Sequence, residues 1–93
     1  MKIYIVMCGN KEEAREFQRV NWITLGEMGI ASGIDFNSSS ITIANEIELL
    51  HLTPTDLDRL YGMKIEGFRT CGTFYTVENS RKIVDRLELC RRR

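Results

Sequence analysis

The sequence predicts an α/β fold. It is a single small sandwich over residues 1–93, with three to four mixed or mostly parallel strands against two main helices, 11–20 and 79–91, and a short helix at 54–61. Three stretches carry this reading. Lys2–Met7, KIYIVM, is an apolar run of strand length that passes through Cys8-Gly9-Asn10 directly into a helical pattern, which is how an α/β unit opens. Thr53-Pro54-Thr55-Asp56 has the residue order of a helix start: a hydroxyl at the cap, proline in the first turn, then an acid facing the positive end of the dipole. Near the C-terminus, Ile83, Val84, Leu87 and Cys90 recur at i, i+1, i+4 and i+7, one buried helical face.

In chain order, strand 2–7 is expected at the centre of the sheet. Asn10 is placed to cap the first helix, with Glu13 three residues on to complete a capping box. Ala14, Phe17 and Val20 mark that helix's buried stripe. Glu12 and Glu16 can pair with Arg15 and Arg19, and Asn21 ends the helix. Trp22–Leu25 then reads as a short strand or an irregular return. Gly26, Gly29 and Gly33 make LGEMGIASG a loop, because three close glycines oppose a helix, with a helical turn over Glu27–Ala31 as the alternative, and Ile34 and Phe36 fit another short extended piece. Asn37–Ser40 is a turn cluster, 40–45 a strand, and 46–52 is open between a strand and a helical turn. Gly62 stops the short helix, and 63–75 is extended with bends at Gly67 and Gly72.

Composition bounds the function classes. At 93 residues, 43% hydrophobic and 28% charged, the chain is of ordinary size and makeup for one globular domain. No apolar run reaches the length of a membrane span, and residues 1–8 do not match a signal peptide, so a cytoplasmic protein is expected. Cys8, Cys71 and Cys90 are odd in number and widely spaced. They read as reduced, packed thiols and not as a disulfide or zinc framework. Net charge is zero but unevenly distributed. Residues 1–60 hold five Lys/Arg against nine Asp/Glu, and 61–93 hold eight against four. Such polarity points to an anionic partner.

No catalytic constellation is complete. The Cys8-Gly9-Asn10-Lys11 turn lies where α/β folds hold phosphates, yet it lacks the glycine-rich phosphate motifs, and Glu12 and Glu13 would repel an anion there. His51 is the sole histidine, expected at the core edge or exposed, with nothing placing it near Cys8. Neither a catalytic residue, a metal nor a cofactor is assigned, and the chain is read as non-enzymatic. Two surfaces remain. The first is basic: Lys82, Arg86 and Arg93 share a helical stripe, Arg81 and Arg92 lie beside it, and Lys64 and Arg69 extend it. Phe68, Phe74 and Tyr75 are candidate stacking faces. The second is the loop bearing Glu27, Met28 and Ile30, whose apolar tips either dock a partner or fold onto the core.

The order IYIVMCGNKEEAREF, LDRLYGMKIEGF, GTFY and ENSRKIVDRLEL resembles that of small bacteriophage-encoded α/β accessory proteins, truncated nucleotide-binding-like sandwiches. The resemblance covers the two ends and leaves 22–50 unmatched. It implies a small, possibly viral, regulatory protein that works by docking onto a host or cellular protein. Nucleic-acid binding through the basic C-terminal surface is the alternative, and a nucleotide-binding or hydrolytic site at Cys8–Lys11 is the third reading. A protein partner is therefore expected, nucleic acid is the alternative partner, and an exposed sheet edge leaves a homodimer open.

Overall fold

The computed structural model describes residues 1–93. Five strands form one mixed sheet: β1 (Lys2–Met7), β2 (Ala31–Asp35), β3 (Ser40–Ile43), β4 (Ile47–Leu52) and β5 (Gly67–Thr70). Their order is β2-β3-β4-β1-β5. The sheet has one strand more than the upper expectation because the ambiguous 46–52 run is extended. β1 pairs in parallel with β4 and β5, while β2–β3 and β3–β4 are antiparallel. Strand 2–7 is thus bonded on both sides, as expected.

Two helices lie on opposite faces, α1 (Lys11–Glu27) and α2 (Ser80–Arg92). Alternation along β1 divides the core between them. Ile5 and Met7 face α2 with Leu50, Leu52, Leu60, Ile65, Phe74, Ile83, Leu87 and Cys90. Val6 and Cys8 face α1, where Ala14, Phe17, Leu49 and Cys71 meet them.

α1 departs most from expectation. It runs through Asn21 and Trp22–Leu25 to Glu27, well past the predicted end at 20. Its inward residues include Gln18, which is fully buried, whereas Val20 of the expected stripe is exposed. The Gln18 amide donates to the carbonyls of Asp35 and Ser40, both at 3.1 Å, so a polar side chain tethers the β2–β3 connection under the helix. Of the expected surface pairs, Glu16–Arg19 forms at 3.4 Å.

The three-residue turn between β3 and β4 holds Ala44 and Asn45 in the left-handed region, at φ 52° and 57°, and closes with the Glu46 N–H donating to the Ile43 carbonyl at 3.0 Å. The expected short helix at 54–61 is a 3₁₀ helix, Pro54–Leu60. The Asp56 carboxylate accepts from the Thr53 N–H at 2.9 Å and the Thr53 hydroxyl at 3.0 Å. The extended 63–75 stretch narrows to β5 and a second 3₁₀ turn, Phe74–Thr76. No helix is long and apolar enough to cross a membrane.

Candidate functional site

The two connections leaving the interior parallel pair diverge. β1 continues into α1 on one face, while β4 continues into Pro54–Leu60, whose Leu57 and Leu60 join the core on the other. The carboxyl ends of β1 and β4 therefore form a topological switch point, where open α/β sheets place ligand crevices. A cleft of about 380 Å³ lies there, lined by Lys11, Arg15, Phe36, His51 and Arg59 among others. Sequence reasoning missed this cleft. Of its lining residues only Lys11 was named as a candidate site residue, because the strand order that gathers three distant segments has no local signature.

The Cys8–Lys11 turn does not offer an open anion site. The Asn10 side chain accepts from the Glu13 N–H at 2.9 Å, the expected cap. Glu13 does not complete the box. Its carboxylate instead accepts from the Gly9 N–H at 2.9 Å and from the Thr73 N–H at 3.1 Å. A carboxylate from the chain itself thus occupies the Gly9 N–H, one of the donors that a phosphate at this turn would use. Those backbone donors, Thr73 foremost, hold the Glu13 carboxyl below its ordinary pKa. Cys8 is buried with its sulfur 3.4 Å from that of Cys71. Burial, first of all, pushes the Cys8 thiol far up and raises Cys71 as well, so neither is held as a thiolate. His51 is buried and not exposed, at the edge of the core where it lines the cleft. One ring nitrogen donates to the Ser39 carbonyl at 3.1 Å and the other accepts from the Asn21 amide at 3.0 Å. Burial lowers its pKa. Cys8 and His51 do not meet as a nucleophile and base, and no three His, Cys, Asp or Glu side chains gather as a metal site.

The structure separates the residues of the expected basic surface into two groups. Lys82 and Arg86, four residues apart, share one flank of α2, Arg81 and Arg92 lie beside it, and Arg93 follows the last helical residue; all are exposed. Lys64 joins them by donating to the Arg91 carbonyl at 2.6 Å, which caps the helix end. Arg69 does not join. It lies on the opposite face of the sheet, lining an apolar groove with Tyr4, Val6 and Phe17, because alternation along β5 turns it towards α1. The stacking faces also change. Phe74 is fully buried and Phe68 packs on the core, whereas Tyr61 is 80% exposed and Tyr75 is 70% exposed. The Arg86 guanidinium sits 5.6 Å from the centre of the Tyr61 ring. Tyr75 stands edge-on to Phe74 at 5.2 Å and borders a hollow with Arg81. An exposed cation thus stands near an exposed ring at two places on α2, Arg86 by Tyr61 and Arg81 by Tyr75. Tyr61 could have been found from sequence as the residue that follows the short helix opposite the basic stripe.

The predicted loop residues are on the surface. Met28 is 64% exposed and Ile30 37%, and the Met28 N–H closes α1 by donating to the Thr24 carbonyl at 3.1 Å. Glu27 is the last residue of the helix.

No family model matches the chain, and no solved structure matches it. Two curated proteins are similar to it. One is an ATP-dependent helicase/deoxyribonuclease subunit of Lactococcus lactis subsp. cremoris strain SK11, and the other is the exonuclease/helicase protein RexB of strain MG1363. Each is 32% identical over 76 residues, covering 74% of this chain. The chain spans about 7% of the length of these relatives. Neither name bears on the resemblance to bacteriophage proteins.

Proposed function

We propose that the chain is a non-enzymatic binding module that engages single-stranded nucleic acid through α2 and its two flanking tyrosines. The carrying observation is the exposed Tyr61 ring with Arg86 stacked beside it, on the same flank as Lys82. Cations that follow a phosphate backbone next to rings that take a base are the two ingredients of sequence-tolerant single-strand binding. The similarity to a stretch of proteins named as helicase and deoxyribonuclease subunits supports this reading.

Fluorescence anisotropy with a labelled single-stranded oligonucleotide tests it. Affinity should fall with salt by a slope of about 0.7 per phosphate contacted. The double reversal Lys82→Glu/Arg86→Glu should weaken binding by about tenfold or more, with the circular dichroism spectrum unchanged. Tyr61→Ala should weaken it by about 1–3 kcal/mol while leaving the salt slope intact. Unchanged affinity in the double variant would refute the assignment.

A protein partner is the second reading, favoured by the apolar groove of about 620 Å³ on the α1 face, lined by Tyr4, Phe17, Ile43, Ile47 and Leu49 among others. In the relatives the similar stretch is a small part of a long chain, where neighbouring polypeptide is available to cover such a face. Native mass spectrometry of protein purified gently from lysate separates the two readings. A stoichiometric protein supports the groove, and nucleic acid lost at high salt supports α2.

A further inference from the structure

The cleft at the β1/β4 switch point is separate from α2, and the reading above does not use it. Three cations line it from two elements, Lys11 and Arg15 from α1 and Arg59 from the 3₁₀ helix. Lys11 and Arg15 are four residues apart and so lie on one helical face. None of the three has a carboxylate within ion-pair distance; the chain's ion pairs are Glu16–Arg19 and Glu88–Arg91. Arg59 is nonetheless held, since its Nη2 donates to the Ser38 carbonyl at 2.8 Å. Its remaining N–H donors stay free, which is the pre-set fork geometry that suits a phosphate.

Two carboxylates also line the cleft, Glu12 and Asp56. Asp56 is engaged by the N–H and hydroxyl of Thr53, so its charge is turned into the cap. Glu12 remains as an acceptor suited to a sugar hydroxyl. Phe36, at the end of β2, is 49% exposed at this otherwise polar cleft, a ring face with no role in the core. The volume of about 380 Å³ lies at the small-ligand end of the usual range.

We propose that this cleft binds a nucleoside 5′-monophosphate group, its phosphate held by Lys11, Arg15 and Arg59 and its base against Phe36. Inorganic phosphate alone would use the cations and leave Phe36 idle. The Gly9 N–H of the neighbouring turn takes no part, because the Glu13 carboxylate already fills it. The same chemistry could arrive as a free nucleotide or as the 5′ end of a strand.

Nuclear magnetic resonance titration of the Lys82→Glu/Arg86→Glu protein tests this with the α2 surface disabled. The probes are AMP, inorganic phosphate, and a short oligonucleotide with or without a 5′ phosphate. AMP should move the amide signals of Lys11, Asn37 and Ser39, and Arg15→Ala should weaken it by about tenfold, the loss of one charge-assisted contact. Phe36→Ala should weaken AMP and leave inorganic phosphate unchanged. Binding of AMP without the oligonucleotide supports a free nucleotide, and preference for the 5′-phosphorylated strand supports a strand end. No shift at these residues with any nucleotide probe at millimolar concentration would overturn the proposal. So would inorganic phosphate binding as tightly as AMP, or affinity unchanged in Arg15→Ala.

Discussion

At the scale of single residues, Glu13 has the widest reach. It belongs to the first turn of α1, yet it ties the end of β1 to the segment after β5 by accepting from Gly9 and Thr73. Gly72 leaves room for it. That residue sits at φ +62°, and a Cβ there would come within 2.5 Å of a Glu13 carboxylate oxygen. Gly72→Ala should therefore destabilise the protein by about 1–3 kcal/mol, through the left-handed backbone and the displaced carboxylate together, as read by urea denaturation. His51 governs a different dependence. Burial keeps its imidazole neutral below the ordinary pKa of 6.5, so on acidification the unfolded chain takes up the proton first. The stability contributed is complete above pH 6.5 and is lost as the pH falls through the lowered native value. Denaturation midpoints should drop from pH 7.5 to pH 5, and a flat profile would contradict the buried neutral ring. The depressed carboxyls of Glu13 and Asp35 act in the same direction but in a lower window, below their ordinary values of 4.5 and 3.8.

At the scale of elements, α1 shows why a local reading falls short. Trp22–Leu25 has the β-branched and aromatic content of a strand, and Gly26 argues against a helix; the helix nonetheless continues through both to Glu27. Gly26 is helical and a Cβ there would meet nothing within 4 Å. Gly26→Ala should raise stability by about 0.5–1 kcal/mol, measured by the same denaturation, since it removes only unfolded-state freedom. β1, α2 and the Thr53–Asp56 start were legible because their signals are local: an apolar run, a 3.6-residue stripe, a hydroxyl followed by proline. The β3–β4 hairpin was not, since Ala44-Asn45 lacks the glycine that usually marks such a turn. For the same reason the basic stripe of α2 could be read from spacing, whereas its Tyr61 platform and the exclusion of Arg69 depend on which face each strand presents.

At the scale of the whole molecule, the sheet is covered unevenly. One helix, two 3₁₀ segments and the larger core cluster secure the α2 face, while α1 lies over β2, β3 and β4 and leaves the groove beside β1 and β5. Both partners of β1 are parallel, and both faces of its C-terminal half are buried. Its amides should be among the slowest in the chain to exchange with deuterium, and those of the edge strand β2 among the fastest of the strands. Early exchange across residues 2–7 would contradict an interior strand.

The sheet order also sets a timetable for synthesis. β1 leaves the ribosome before either strand it bonds to, and the nearer, β4, begins only at Ile47. Until β4 and then β5 emerge, the apolar run of β1 has no ladder to join. α1 and the β2–β3 hairpin are local enough to form while it waits. During that interval the nascent chain presents an unpaired hydrophobic strand, the kind of segment that cellular chaperones shield.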